Sequence, residues 1–285
     1  MRKFALLALV ALVCLSGCAG VIGDDSTSAP TEVDPADADL PPGVTQSGLD
    51  DPTALVAAHE ETLNSDGFVL RGYFERNISD AGYRNTTIHA TVGPGGEPFE
   101  VETQQTLSRS GKQNETATQH VSSHIWGNAS TILQQVTVGD ATKTGQKQRL
   151  SPARSPTRAP QYETYLTVGN PNLTVEKVVE RDGHTFTTLV TDETIEADNG
   201  VTVNLSTRFV VDERGIVHEA VIDTEADGVS DHHEYRIVEL GPDTPDAPTW
   251  TDNVSESGTT TASLLSAVKT PNDFSRSAVR ATVAR

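Results

Sequence analysis

Histidine and carboxylate side chains that recur close together are the first candidates for chemistry, because three such groups converging on one point can bind a metal ion. His120 and His124 lie four residues apart near Trp126, and alternate positions of a β-strand share a face. The run Asp231–Glu234 offers four ligand-type side chains, but neighbours along a strand point to opposite faces. Both groups are interpreted as solvated polar strand residues, and no metal site is predicted.

Two short strings match patterns used in nucleophilic catalysis. Ser266 to Lys269 reads Ser-x-x-Lys, and Lys143 to Gly145 reads Lys-Thr-Gly, the pair found in penicillin-binding enzymes. Their order along the chain is reversed relative to those enzymes. The sequence contains no Gly-x-Ser-x-Gly, no His-Glu-x-x-His and no phosphate-binding loop. An enzyme is therefore disfavoured, and neither a catalytic residue nor a cofactor is predicted.

One cysteine has a defined chemical setting near the start of the chain. Two basic residues precede an apolar run, 4–13, that is too short to span a hydrocarbon core. The run leads into Leu15–Cys18, which resembles the lipobox of secreted lipoproteins: small residues give a signal peptidase access, and the thiol accepts a lipid. The sequence predicts a lipoprotein signal peptide over 1–17 and a lipid anchor at Cys18. The alternative is an ordinary signal peptide with an unmodified cysteine.

Lipidation at Cys18 would hold the exported chain on the outer face of the cytoplasmic membrane, with the membrane as its partner. Residues 18–50 are rich in Asp, Pro, Ser and Thr, and no basic residue occurs between Lys3 and Arg71. Low hydrophobicity with charge of one sign predicts that this linker is disordered. The composition changes again after Trp250, so 251–285 is predicted to be a disordered tail.

Asn-x-Ser/Thr sequons are dense, as expected for an exported glycoprotein with exposed polar surfaces. Asn77, Asn128 and Asn172 are favoured because they lie near predicted turns. Asn204 falls on the predicted wet face of its strand. The candidate glycosylation sites are Asn77, Asn85, Asn114, Asn128, Asn172, Asn204 and Asn253.

A positive island interrupts the otherwise acidic chain, and its prolines predict an extended loop. This basic loop could contact anionic headgroups at a membrane, pair with the acidic linker, or remain solvated. High external salt would weaken any such attraction. The loop spans 143–158 and contains Lys143, Lys147, Arg149, Arg154 and Arg158.

Composition narrows the class of protein. The chain has 285 residues, 40 of them acidic and 21 basic, with a net charge of -19. Such a charge disfavours a nucleic-acid partner, and a single apolar run excludes a multi-span membrane protein. Both cysteines precede residue 20, so the body has no disulfide framework. Scarce lysine and abundant acid indicate a halophilic host, the alternative being an ordinary acidic surface protein.

The region 51–250 is predicted to be a single β-rich domain. Asp51 followed by Pro52 predicts a helix over 52–65 that ends at Gly67. A second short helix is predicted near 160–168. Short alternating runs bounded by turn residues predict ten strands, at 68–77, 83–92, 98–109, 114–126, 131–138, 173–181, 184–191, 201–212, 216–224 and 232–240.

The predicted fold class is mainly β (α+β), with one curved antiparallel sheet packed on the N-terminal helix. Strand 201–212 alternates apolar and polar residues, which indicates one buried face and one wet face. The strands before 140 are too polar for a tightly packed two-sheet sandwich, and a half-barrel fits them better. Its concave face would hold an apolar ligand against residues such as Val203, Leu205, Phe209 and Ile237.

The lipobox, the linker and the segment LVAAHEETLNSDGFVLRGYFER, a helix leading into a sheet, together resemble the secreted lipoproteins of haloarchaea. Those are similar in layout to half-barrel lipid and lipoprotein carriers of the LolA type. The resemblance covers 1–250, and its one specific motif is the lipobox. It implies a carrier function at the level of the fold and transfers no ligand-site residue.

Two non-enzymatic functions follow for a surface-anchored lipoprotein of this kind. The first is binding of a lipid or another apolar ligand in the half-barrel, which calls for a partly open apolar cavity of a few hundred Å³. The second is a structural or interaction module of the glycosylated cell surface, in which the helix closes that face. No further protein partner is predicted.

Overall fold

The computed structural model of the chain describes residues 29–79, 82–110, 116–148, 166, 172–196 and 201–254. Within these ranges the chain forms one α-helix that is described along its whole length, a further helical residue at Leu166, two short 3-10 helices (Pro94–Gly96 and Thr249–Asn253) and a single antiparallel sheet of fourteen strands. Among the same residues, no helix is both long enough and apolar enough to cross a membrane.

Helix α1 spans Pro52–Asp66, one residue longer than predicted. The Asp51 side chain caps its first turn by accepting hydrogen bonds from the backbone N–H groups of Thr53 (3.1 Å) and Ala54 (3.0 Å). Pro52 suits the first helical position because its missing N–H would have no partner there. Gly67, with a φ of 75°, ends the helix in a conformation that glycine adopts without strain.

All ten predicted strands form, with ends that differ by a few residues. The longest difference is in β11, which continues to Glu196. The strands are β1 Thr31–Val33, β2 Val44–Thr45, β3 Gly48–Leu49, β4 Phe68–Ile78, β5 Gly82–Val92, β6 Phe99–Ser110, β7 Thr116–Gly127, β8 Thr131–Val138, β9 Ala141–Gln148, β10 Thr174–Arg181, β11 His184–Glu196, β12 Thr202–Asp212, β13 Val217–Ala226 and β14 Val229–Leu240.

The strand order is β2-β3-β10-β11-β12-β13-β14-β4-β5-β6-β7-β8-β9, and β1 pairs with β10. Two runs of consecutive hairpins, β4 to β9 and β10 to β14, are therefore joined where β14 pairs with β4. That pairing sets Leu240 opposite Phe68 and Val229 opposite Ile78, so the last long strand of the domain lies beside the first.

Four strands lie where the sequence analysis predicted none, which brings the sheet from about ten strands to fourteen. Strand β9 occupies the first half of the predicted basic loop and pairs with β8 from Val138–Ala141 to Thr131–Gln148. Its residues are mostly Thr, Lys and Gln on both faces, so it lacks the apolar alternation that marks a half-buried strand. Pairing with a neighbour, rather than its own sequence, makes it a strand.

The prediction that 18–50 is disordered is wrong for its second half, which contains the strands β1, β2 and β3. Strand β1 pairs with β10 (Thr31 opposite Glu180), and β3 reaches β10 at Gly48. These strands have only two or three residues, too few for any periodicity to be visible. Residues 1–28 with the predicted signal peptide and Cys18, most of the predicted helix 160–168, and 255–285 lie outside the described residues.

One face of the sheet, here called the inner face, packs with α1 to form the core. Leu55, His59 and Leu63 recur every four residues on α1 and are buried together. Burial of the two leucines contributes about 3–6 kcal/mol. The sheet residues of this core include Phe68, Leu70, Ala90, Val92, Phe99, Val101, Leu189, Leu205, Phe209, Val211, Val217, Ala220, Ile222, Tyr235 and Ile237.

Candidate binding interior

The four residues predicted to line a concave apolar face all lie on the inner face. Leu205, Phe209 and Ile237 are buried members of the core, with exposed fractions of 7%, 0% and 7%. Val203 is half-buried toward the opposite end of β12 from Phe209. The sequence thus placed these residues on one face, but most of that face is filled by packed side chains rather than open.

Halfway along the strands, one complete row of inner-face residues is buried. Each of eight neighbouring strands, β11 to β14 and β4 to β7, contributes one residue, and every one is buried. A row buried across eight strands requires the sheet to curve, because the face of a flat sheet stays open unless another layer covers it. This buried row consists of Thr191, Thr207, Ile222, His233, Phe74, Thr86, Gln105 and Val121.

The next row, two residues farther from α1 along each strand, carries charge on the inner face. Arg76 of β4 forms a bidentate ion pair with Asp231 of β14, and both side chains are largely buried, with exposed fractions of 13% and 11%. Such a pair uses both carboxylate oxygens. This ionic row consists of Glu193, Leu205, Thr224, Asp231, Arg76, Arg84 and Leu107.

Arg84 is the second guanidinium of the ionic row, directly opposite Arg76 on β5. Its guanidinium carbon lies 5.0 Å from the centroid of the Phe74 ring, a cation–π contact. Its Nε and Nη2 atoms are buried and have no hydrogen-bond partner among the residues that the structure describes. Burial, together with the nearby charge of Arg76, lowers the pKa of Arg84, and Asp231 opposes that shift only in part.

Beyond the ionic row the inner face ends in an apolar rim. Ile195 faces Val203, and Val229 faces Ile78, whose side chain is 41% exposed. The interior is therefore graded along the strands: an apolar core at α1, a mostly polar buried row, two guanidinium groups, and an apolar edge.

A pocket of about 340 Å³ lies at this end of the sheet, and most of the residues that line it are polar or acidic. It includes Leu205, Thr224 and Asp231 of the ionic row, but most of its residues belong to the outer face. The lining residues are Glu75, Asn77, Asp192, Asn204, Leu205, Ser206, Asp223, Thr224, Glu225, Ser230, Asp231 and His232. The pocket differs from the apolar cavity that an open half-barrel would present.

Three predicted sequons lie on the outer face around this pocket. Asn77 and Asn204 line it and are exposed, and Asn85 is half-buried on β5. Glu75 accepts hydrogen bonds from Tyr73 (2.5 Å) and from Asn77 (3.0 Å). The bond from Tyr73 holds the pKa of Glu75 below its usual range and raises the pKa of Tyr73.

The remaining sequons are dispersed. Asn128 forms the turn between β7 and β8, where its Oδ1 accepts hydrogen bonds from the backbone N–H groups of Ser130 and Thr131, both at 3.1 Å. Asn172 is exposed before β10. Asn114 and the side chain of Asn253 lie outside the described residues.

A cluster on the outer face has the residue types of a metal site. One ligand-type atom from each of Glu100, Glu102 and His124 lies within 4.8 Å of the others. The indole Nε1–H of Trp250, which can only donate, points to Nδ1 of His124 at 3.0 Å. Nε2 must then carry the proton that it donates to Glu100 at 2.6 Å. Neither ring nitrogen of His124 has a lone pair for a metal ion in this arrangement.

The residues of the other histidine group, Asp231–Glu234, point alternately to the two faces of the sheet, as predicted for a strand. Asp231 and His233 face inward, while His232 faces outward and contacts Asp223 at 2.7 Å. Burial is the main reason that the pKa of His233 falls to about 4.

Helix α1 is fastened to the β12–β13 hairpin by a buried polar network. Nδ1 of His59 accepts a hydrogen bond from the backbone N–H of Val217 at 3.0 Å, and burial lowers the pKa of His59 to about 3. Burial alone would raise the pKa of Asp212, but hydrogen bonds from His218 and Arg214 and from the backbone hold it below its usual range. The helix is thus seated by specific contacts as well as by apolar packing.

The predicted basic loop is divided by the structure. Lys143 is exposed on β9, and the backbone of Lys147 belongs to the same strand. Arg149, Arg154 and Arg158 lie outside the described residues.

No protein-family model matches the chain, and no curated protein matches its sequence. Among solved structures, LprF from Mycobacterium bovis is similar over 71% of this chain and 99% of its own, with 14% identity and a TM-score of 0.36. A LolA superfamily protein from Nitrosomonas europaea is similar over 69% and 94%, with 11% identity and a TM-score of 0.23. A β-barrel-like protein from Brucella abortus is similar over 61% of this chain and 97% of its own, with 9% identity and a TM-score of 0.24. At this level of similarity none of these structures indicates a function for this chain, so its function has to be inferred from its own residues.

The charged inner residues were missed from the sequence. Arg76 and Asp231 are 155 positions apart, and Arg84 stands in a run of polar residues that gives no indication of burial. The alternation of β4 could have revealed Arg76. Arg76 lies an even number of residues from Phe68, Leu70 and Phe74, and alternate residues of a strand share a face, so it faces inward with them.

Proposed function

We propose that the protein is a lipid-anchored, non-enzymatic surface protein that binds a lipid or another apolar ligand inside its curved sheet. The observation that carries this proposal is the continuous apolar wall of the inner face, against which α1 packs, together with Leu166 and Leu173 among the described residues. The wall draws on strands from both sides of the β14–β4 pairing, for example Leu70 and Val101 on one side and Phe209 on the other.

Helix α1 is the movable part in this proposal. It buries only Leu55, Val56, His59 and Leu63, and it stands between the linker and β4 at one end of the domain. Its fifteen residues cover about 22 Å of the wall, at 1.5 Å per residue. Displacing α1 would open an apolar groove of that length without breaking any strand pairing.

Anchoring at Cys18 is part of the same proposal and has its own test. With Cys18→Ser, the chain should lose its lipid-bearing mass and leave the membrane fraction, since the thiol that carries the lipid is gone. Membrane retention at unchanged mass would overturn the anchor and leave the binding proposal standing.

Ligand binding is tested on the full chain extracted from membranes under mild conditions and examined by native mass spectrometry. A co-purifying lipid is the expected result. Leu63→Ala should increase the bound fraction because it weakens the hold of α1, whereas Val136→Ala, a buried truncation outside the core around α1, should leave the bound fraction unchanged. Lipid-free protein in all three samples would sink the proposal.

The second candidate is a structural or interaction module of the glycosylated surface. The fully buried row across eight strands favours it, because an interior filled by side chains needs no ligand. For such a module, Leu63→Ala would lower stability and recruit no lipid.

A further inference from the structure

We infer that Arg84 binds an oxyanion, a phosphate or a carboxylate, which the ligand of the inner face carries as its head group. This inference rests on the proposed binding function and names the chemical class of its ligand. The feature behind it is a buried guanidinium edge that the protein provides and does not use.

The geometry singles out Arg84 within the ionic row. Arg76 already engages both oxygens of Asp231, so that carboxylate is committed to another cation. Among the described residues, the charges that act on Arg84 are a second cation, Arg76, and one paired anion, Asp231, which leaves a local excess of one positive charge. Glu193, the other acid of the row, lies across the sheet on β11 and accepts the backbone N–H of Asn172 at 2.9 Å.

The two unpartnered atoms of Arg84 define the shape of the ligand group. Nε and Nη2 form one edge of the guanidinium, and their two parallel N–H bonds match two oxygens of a carboxylate or a phosphate. The ring of Phe74 supports the guanidinium plane from one side. A buried donor without a partner destabilises the protein, so an oxyanion at this edge recovers free energy that the unliganded state lacks.

The surroundings point to a head group attached to an apolar chain. Leu107 stands beside Arg84 on β6, and Ile78 and Val229 form the rim outside it. On the other side, Thr86 accepts a hydrogen bond from Gln105 at 3.1 Å in the buried row. An oxyanion here lies between the apolar rim and the mostly polar buried row, and the apolar wall under α1 begins beyond that row. Apolar surface within reach on either side suits an amphiphile; a free inorganic anion has the same chemistry and is distinguished by the experiment.

The test uses the full lipoprotein in nanodiscs of zwitterionic lipid, titrated by calorimetry with hexyl phosphate, hexanol and inorganic phosphate. The wild-type protein should bind hexyl phosphate at least tenfold more tightly than hexanol. Arg84→Gln should abolish that preference and leave hexanol binding unchanged, while Arg84→Lys, which keeps the charge but loses the fork, should retain part of it. Arg71→Gln, at an exposed arginine of the same strand pair, is the matched control and should keep the full preference.

The outcomes separate the two proposals. Binding of both hexyl probes without preference overturns the oxyanion site and supports the binding function. If neither hexyl probe binds and inorganic phosphate does not bind either, the binding function itself fails. Inorganic phosphate that binds alone, in an Arg84-dependent way, supports the oxyanion site and identifies its source as a free anion.

Discussion

Mild acid should destabilise the domain because two histidines are buried in their neutral form. Burial lowers the pKa of His59 to about 3 and that of His233 to about 4, whereas both would have a value of 6.5 in the unfolded chain. The unfolded state therefore binds more protons than the folded state below pH 6.5. The stability that these histidines contribute is present above that pH and is lost as the pH falls toward 4 and 3.

The size of the effect follows from the same pKa values. Between pH 7 and pH 5, proton linkage removes about 2 kcal/mol for each histidine, or about 4 kcal/mol for the pair. The free energy of unfolding of a domain is about 5–15 kcal/mol in total, so the loss is large enough to measure. Asp212, Glu213 and Glu75 have lowered pKa values and add their own loss only near and below their ordinary values of 3.8 to 4.5.

The assay is urea unfolding of the full chain at pH 7, 6 and 5, at constant salt. His233→Phe and His59→Gln should each reduce the loss of stability between pH 7 and 5 by about 2 kcal/mol. The glutamine keeps an oxygen that can accept the hydrogen bond from Val217. His120→Gln, at an exposed position on β7, is the matched control for the loss of an imidazole. A pH dependence identical to wild type in both buried-site variants would refute the reasoning.

Three further changes test other parts of the structure. Gly127→Ala should lower stability by about 1–3 kcal/mol in thermal unfolding, because a Cβ there would lie 2.4 Å from Cζ of Phe99. Arg84→Met should raise the melting temperature of the ligand-free protein, since it removes a buried donor without a partner; a lower melting temperature would contradict this. Trp250→Phe should cost about 1 kcal/mol by removing the hydrogen bond to His124, measured by urea unfolding.

Local sequence signals predicted most of the fold because they act over a few residues. The capping pair Asp51 and Pro52 marked the start of α1, and apolar alternation marked strands such as β12. Strand β9 and strands β1 to β3 were not predicted, because their pairing partners, rather than their own residues, make them strands. Predictions from periodicity therefore found the strands with a buried face and missed the edges of the sheet.

The interior could be predicted only in part, because its chemistry depends on register. Alternation placed Leu205 and Phe209 on one face, which the sheet keeps. Nothing local tells that β14 pairs with β4, and this pairing alone brings Asp231 to Arg76 and leaves Arg84 as the unmatched cation. The sequence also cannot tell whether a concave face is open or filled, since that depends on how strongly the strands curve.

The closed interior and the oxyanion site together require one coupled movement. An amphiphile whose chain lies along the wall under α1 and whose head group meets Arg84 must pass the buried row, where Phe74 packs edge-on against His233 at 4.5 Å. Opening that row and releasing Leu55 and Leu63 cost free energy before any ligand contact forms, so the apparent affinity is the intrinsic affinity reduced by the fraction of open molecules. Truncation of Leu63 lowers that cost without touching Arg84. It should therefore tighten hexyl phosphate and hexanol binding by the same factor, whereas Arg84→Gln changes their ratio.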